Sequence, residues 1–477
     1  MLEKSLEKGV ILLKKSLEKG VTLLTTLKKT IILNIGGEVF MKREIYQDLL
    51  NWKNKREHKP LLILGARQVG KTYIINKFCQ ENYEHAVMIN LFENTDVIDI
   101  YQSNLNAFEK YQRLKILLGV DLEQENTILF IDEIQESEKL IADLKFFCEK
   151  HPKIHIICAG SLLEVKLKRS KFSFPVGKVE MLALYPMSFL EFLWAFHEEL
   201  LIEEIESCFQ KNVPMVDALH KKAMEYYRLY LITGGMPESV KAMVSSKKDV
   251  MNYDEKILED IIDSYFKDMD KYVLSNSEAL KIERIYHSIP SQLANESNKF
   301  QFSKVQSGAK SREYMSSLDW LLASNMAHLS SLVSTPEIPL KGFIKEDYFK
   351  LYLNDVGILN RLLEVKTADI LLDNLSLYKG VITENYVAYQ LVNMGYSLYY
   401  WQSNGIAEID FLLYTNDGVI PLEVKAGDNV QSKSLYVYIE KYHPKYSIRM
   451  SMRNFGFDKE KKIKSVPLYA IFCLKNL

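Results

Sequence analysis

The chain has 477 residues, 47% of them hydrophobic and 26% charged, with a formal net charge of −1. Such a length exceeds one small core and predicts two or three domains, while the composition excludes wholesale disorder. The balanced charge excludes a global basic field, so any contact with DNA falls to local patches.

The first forty residues stand apart. Ser5-Leu-Glu-Lys-Gly-Val10 recurs as Ser16-Leu-Glu-Lys-Gly-Val21, an eleven-residue period. That period suits a short amphipathic helix on a slightly right-handed path, which Gly9 and Gly20 weaken. A second reading starts translation at Met41, with Gly36-Gly-Glu-Val39 encoded by a purine-rich ribosome-binding sequence; residues 1–40 are then an extension absent from the native protein. Charges interrupt every apolar stretch, so neither a secretory leader nor a membrane span is expected. The five cysteines are scattered and form no CxxC pair, which argues against disulfides and thiolate metal sites and predicts a reducing cytoplasm.

From Met41 to Leu193 strands and helices alternate, the pattern of a mostly parallel sheet covered on both faces. A lead-in helix (Arg43–Trp52) precedes strands at Leu61–Leu64, Ala86–Asn90, Ile128–Ile131, Ile154–Cys158 and Val179–Leu184. Helices are expected at Leu105–Leu118 and Leu140–Glu149, where apolar residues recur three and four apart. Between the first strand and the next helical pattern lies Gly65-Ala66-Arg67-Gln68-Val69-Gly70-Lys71-Thr72, a glycine, four free positions and Gly-Lys-Thr. A helix start lined with backbone N–H groups suits a phosphate, and glycines let the main chain come close. Lys71 is expected to reach the terminal phosphates of ATP or GTP, and the Thr72 hydroxyl to face Mg²⁺.

The strand Ile128–Ile131 ends in Asp132-Glu133, at the carboxyl edge where parallel sheets bind ligands. Asp132 is the candidate metal holder and Glu133 the residue that activates water. The next strand ends in Ala159-Gly160-Ser161, which makes Ser161 a candidate γ-phosphate sensor.

After Pro186 the chain turns helical at Phe189–Phe196, Ala218–Leu231 and Val250–Met269, broken by Gly234-Gly235-Met-Pro237. Residues 194–275 are expected to form a lid. Residues Glu278 to Val333 read as polar and helical, with helices near Phe302–Gln306 and Arg312–Leu322; a winged-helix-like module over 276–345 follows. The remainder, 346–477, is mixed. A helix (Val381–Met394) carries Glu384, strands follow at Ser397–Gln402 and Glu408–Tyr414, and Asn416-Asp-Gly418 turns into a hairpin partner, Val419–Val424.

That hairpin brings together two acids and a lysine, Asp410, Glu423 and Lys425, with Glu384 one helix earlier. Oxygen ligands of this kind suit Mg²⁺ or Mn²⁺, and the outer residues of Glu423-Val-Lys425 share a strand face. Cross-strand charge pairing at a surface hairpin explains the same pattern. From Asn429 onward ten Lys or Arg stand against three Asp or Glu, a balance that favours a phosphodiester partner.

Together these segments resemble a prokaryotic family of AAA-type ATPases with a C-terminal domain of uncharacterised function and a restriction-endonuclease-like core of the PD-(D/E)XK pattern. The resemblance spans Met41 to near the C-terminus. It rests on Gly65–Thr72, Phe130-Ile-Asp-Glu-Ile-Gln135, Ala159-Gly-Ser161, Phe174-Pro-Val-Gly177 and Tyr185-Pro-Met-Ser-Phe-Leu-Glu-Phe192. It continues through Gly234-Gly-Met-Pro237, Lys350-Leu-Tyr-Leu-Asn-Asp-Val-Gly357, Glu384-Asn-Tyr-Val387, Glu408-Ile-Asp-Phe411 and Leu422-Glu-Val-Lys425. It implies an ATP- and Mg²⁺-dependent enzyme of the additional-strand, catalytic-glutamate class, with a winged-helix insertion and a nuclease-like domain of unsettled activity; it supplies no substrate, and DNA is a candidate partner only through the basic balance after Asn429. The sequence does not give the oligomeric state; a homo-oligomer is compatible with the resemblance, since ATPases of this kind often complete their sites at subunit interfaces. For the arginine that reaches the γ-phosphate the sequence offers Arg67 and Arg169, and Lys178 stands where an arginine is the better phosphate ligand.

Overall fold

A computed structural model describes residues 41–169, 174–273, 275–295, 299–375, 378–403, 407–427 and 432–477, and residues 41–477 form one compact unit. The repeat in residues 1–40 lies outside the described residues. The first sheet comprises β1 (Leu61–Leu64), β2 (His85–Asn90), β3 (Thr127–Asp132), β4 (His155–Ala159) and β5 (Glu180–Ala183). All pair in parallel, in the order β2-β3-β4-β1-β5.

Alternate strand residues face opposite ways, so the sheet separates two cores. Leu61, Ile63, Ile128, Phe130 and Ile157 pack on α1 (Ile45–Lys53) and α2 (Lys71–Asn82). Leu62, Leu129, Ile131 and Ile156 pack on α3 (Thr95–Gln102), α4 (Ala107–Leu118) and α5 (Glu138–Lys150). Periodicity alone does not reveal α3, whose β-branched residues favour strands. Burial of Val97 and Tyr101 overrides that preference.

Beyond a short α6 (Leu163–Arg169), the chain enters five helices: α7 (Phe189–Ala195), α8 (Glu199–Lys211), α9 (Asp217–Thr233), α10 (Pro237–Ser245) and α11 (Lys256–Tyr272). The expected start of the last at Val250 is a separate 3-10 turn, Val250–Asn252. Next come α12 (Asn276–Leu293), α13 (Phe302–Val305) and α14 (Ser311–Ala323), followed by the antiparallel strands β6 (Ala327–Val333) and β7 (Ile344–Leu353). The wholly helical reading of Glu278 to Val333 is therefore corrected: its last seven residues are a strand. The expected boundary at 345/346 falls inside β7.

The remaining elements are α15 (Val356–Leu362), α16 (Thr367–Leu371), α17 (Tyr378–Asn393), β8 (Tyr399–Gln402), β9 (Glu408–Ile409), β10 (Phe411–Thr415), β11 (Gly418–Val424), α18 (Lys433–Tyr442), β12 (Ser447–Ser451), β13 (Gly456–Asp458) and β14 (Ile463–Pro467). One sheet runs β7-β6-β8-β9 and another β10-β11-β12-β14-β13. The hairpin at 416–418 forms, with Thr415 opposite Gly418. The single strand expected over Glu408–Tyr414 does not. It divides at Asp410, and its halves join different sheets. One apolar core runs from Met187, ahead of α7, and Tyr230 in α9 through Tyr386 to Leu474.

Candidate functional site

The loop after β1 is shaped by backbone that a side chain would obstruct. Gly65 has φ +144°, and a Cβ there would lie 2.0 Å from the Leu184 carbonyl oxygen of the adjoining strand connection. Gly70 is left-handed at φ +88° and opens α2. Lys71 is buried, and its Nζ donates to the carbonyls of Gly65 at 3.0 Å and Ala66 at 2.8 Å. Burial lowers its pKa to about 8. An ammonium withdrawn from water and held by carbonyls is suited to a polyanion. Thr72 Oγ1 donates to Asp132 Oδ2 at 2.7 Å, so a hydroxyl and a carboxylate stand together as oxygen ligands for a hard divalent cation. The residues fit a magnesium nucleotide.

Glu133 follows at the end of β3 in the left-handed region, φ 54°. Its carboxylate accepts from the side-chain amide of Gln135, a fully buried residue to which the sequence pattern assigns no role. Strand order places β4, and with it Ser161, between β1 and β3. Two other loop residues meet α11. Gln68 Nε2 donates to Ser264 Oγ at 3.1 Å, and the Arg67 carbonyl accepts from Tyr265 Oη at 3.3 Å. The Arg169 side chain lies outside the described residues, and Lys178 pairs with Glu149 at 2.9 Å.

A residue that sequence reasoning passed over grips this loop from below. Arg43, buried just ahead of α1, donates through Nη1 to the Val69 carbonyl at 2.8 Å and through Nη2 to the Tyr185 carbonyl at 2.6 Å. Its Nε lies 3.1 Å from buried Glu191, which also closes a capping box with Ser188 at the start of α7. The only local cue was an arginine in an otherwise amphipathic lead-in helix.

The C-terminal acids come from several elements. Lys350, fully buried in β7, donates to Glu384 at 2.9 Å and to Glu408 at 2.7 Å, and Tyr352 Oη donates to the same Glu384 oxygen at 2.5 Å. Asp410 Oδ2 accepts from the Val424 amide at 2.7 Å; loss of water and the nearby Glu384 push its carboxyl well above the usual range. Glu423, buried in β11, pairs through Oε1 with Lys425 at 2.8 Å, while its Oε2 has no hydrogen-bond partner among the described residues. Glu384 and Asp410 thus share surroundings, and Glu423 pairs with Lys425 on the strand beside Asp410. Among the described residues no group of three His, Cys, Asp or Glu is placed to hold a metal ion.

A parallel sheet carrying this loop on β1 and the acid pair on β3 defines a P-loop nucleoside triphosphatase. Residues 57–193 match the family model described as an AAA domain, so this stretch of the chain is an AAA-type, ATP-binding ATPase domain. Two domains of unknown function match downstream, DUF8612 over 224–369 and DUF4143 over 379–471. No curated protein matches the chain. Similar solved structures include a Walker-type ATPase of Pyrococcus abyssi, 15% identical over 68% of this chain and 96% of that one, TM-score 0.41. Another is the ORC2 protein of Aeropyrum pernix in its ADPNP–ADP complexes, 13% identical over 70% and 93%, TM-score 0.35. Among the described residues no helix is long and apolar enough to cross a membrane.

Proposed function

We propose that the chain is a Mg²⁺-dependent, ATP-hydrolysing switch whose nucleotide state repositions a nucleic-acid-binding C-terminal module. The observation that carries this reading is the Thr72–Asp132 contact at 2.7 Å with Glu133 next along the chain. In it, Gly65 to Thr72 cradle the phosphates, Lys71 neutralises them, and Thr72 and Asp132 hold the cation. Bound there, Mg²⁺ supplies charge neutralisation at the phosphate oxygens. Glu133 orients and deprotonates the attacking water, and Ser161 reads the terminal phosphate.

Coupling to the C-terminal half is supported by direct contacts. The helix that carries Glu384, α17, donates from Tyr389 Oη to the Pro186 carbonyl and from Asn393 Nδ2 to the same oxygen at 3.3 Å. Its Gln390 Oε1 accepts the Phe189 amide at 3.1 Å. The three helices α12 to α14 and the β6–β7 pair are read as a winged-helix-like element, and the positive excess after Asn429 as the attraction for a phosphodiester. For this half, binding without cleavage is favoured over metal-dependent cleavage, because Lys350 already neutralises Glu384 and Glu408.

The test is the ATPase rate of the purified chain with Mg²⁺, with and without DNA, beside Lys71→Ala. Turnover that depends on Lys71 and rises with DNA supports the switch. A rate indifferent to DNA would remove the nucleic-acid partner from the proposal, and ATP turnover intact in Lys71→Ala would remove the site.

A further inference from the structure

The acidic cluster of the C-terminal half is built around an ammonium. Four elements deliver its components: β7 brings Lys350 and Tyr352, α17 brings Glu384, β9 brings Glu408, and β8 brings the Tyr400 ring, whose centroid lies 5.1 Å from Lys350 Nζ. The side chain of Lys350 has no exposure, whereas those of Glu384 and Glu408 retain 13% and 25%. The cation is thus more deeply enclosed than its carboxylates.

Carboxylates drawn out of water need a countercharge, and either a metal ion or a protein cation supplies it. A divalent ion would have to gather oxygens from several acids at about 2.1 Å. Here one oxygen of Glu384 already accepts from both Lys350 and Tyr352. Glu423 Oε1 is taken by Lys425 at 2.8 Å.

We infer that the Lys350 ammonium is the resident cation of the Glu384–Glu408 cluster, and that the cluster works without a divalent ion. Its task is then mechanical. It fastens α17, the helix bonded to Pro186 and Phe189 of the ATPase side, to the strands β7 and β9. This inference goes beyond the proposed switch and stands or falls independently of ATP hydrolysis.

Manganese titration of the full nucleotide-free chain, read by the electron paramagnetic resonance of free Mn²⁺, tests it. The unmodified chain, Glu384→Gln and Asp410→Asn are expected to bind the same amount of Mn²⁺ with the same affinity. Loss of a bound Mn²⁺ in either variant would overturn the inference. Lys350→Met should melt at a lower temperature, with some of the loss recovered in Lys350→Met/Glu384→Gln, because the double variant no longer buries an uncompensated acid. An unchanged melting temperature in Lys350→Met would equally overturn it. Should that variant not fold, the manganese comparison decides alone.

Discussion

The side-chain amide of Gln135 donates to the Glu133 carboxylate at 2.5 Å, two residues along the chain from the acid it holds. Gln135 is fully buried, and its backbone carbonyl accepts from Lys166. Its amide oxygen lies where a Cβ on Gly160 would come, 2.3 Å away. The glutamine is therefore wedged between the acid strand and the end of β4, and the direction of Glu133 depends on it.

Glu133→Gln is expected to bind ATP unchanged and to hydrolyse it about 10²- to 10⁴-fold more slowly, the usual weight of a general base. Gln135→Ala should lower kcat about tenfold with ATP affinity intact, because misplaced groups lose rate before binding. Gly160→Ala should imitate it by displacing the amide. Single-turnover hydrolysis and ATP titration separate the two effects; a normal kcat in Gln135→Ala would discard the positioning role.

Lys71 gives a pH signature. Burial holds its free-state pKa at about 8, and a bound phosphate stabilises the charged form and raises it. Below that pH the ammonium is present before binding; above it, binding must take up a proton. ATP affinity should accordingly fall as pH rises through 8, by up to about tenfold per unit. Calorimetry at pH 8.5 in buffers of different ionisation enthalpy should register proton uptake, and flat affinity to pH 9.5 would contradict it.

Arg43 and Glu191 lose much if one is removed alone. Each side chain is 4% exposed, and Arg43→Met strands a buried carboxylate at a cost of about 3–5 kcal/mol. Arg43→Lys keeps the charge but loses the fork that reaches Val69 and Tyr185 together, so it should weaken ATP binding with a smaller loss of stability. Urea midpoints and ATP titration of both variants test this. Equal effects of the two substitutions on both readouts would show that geometry at this site is unimportant.

Asp355 predicts a dependence on pH of opposite sense to an ordinary salt bridge. Its carboxylate accepts the Gly235 amide at 2.6 Å and the Ile358 amide at 2.9 Å, yet burial raises its pKa to about 6. Between the unfolded value near 4 and that folded value, the unfolded chain has lost the proton and the native one keeps it. Stability attributable to this group falls as pH rises across the window, by about 2–3 kcal/mol, and is level above it. Relative to the parent, Asp355→Asn should look most damaging at pH 4 and less so at pH 7. Urea unfolding at both values measures the difference, and a gap that widens toward pH 7 would refute the assignment.

The nucleotide site was legible because its chemistry is written contiguously: one loop, one strand end, each flanked by apolar runs of the right length. Gly65 to Thr72 and Asp132-Glu133 needed only local spacing. Arg43 was not legible, because its partner Tyr185 lies 142 residues away and nothing local marks the pairing. Lys350 lay within a motif of the resemblance, but its meaning depends on Glu384 and Glu408 arriving from other elements. Strands β6 and β7 were missed in a stretch whose polar residues alternate with apolar ones, since β7 is exposed over its first half and buried over its second. Asp410 sits where one strand changes sheets, a break that periodicity cannot signal.

The pairing of β6 with β7 across the seam near residue 345 bears on how such a chain changes over generations. Because one strand of the pair follows the helical region and the other leads into the acidic cluster, recombination at that seam would split halves that need each other to fold. Gene fusions that swap the rear portion should persist only when they carry the front strand along. The front and rear portions are then inherited as a single piece.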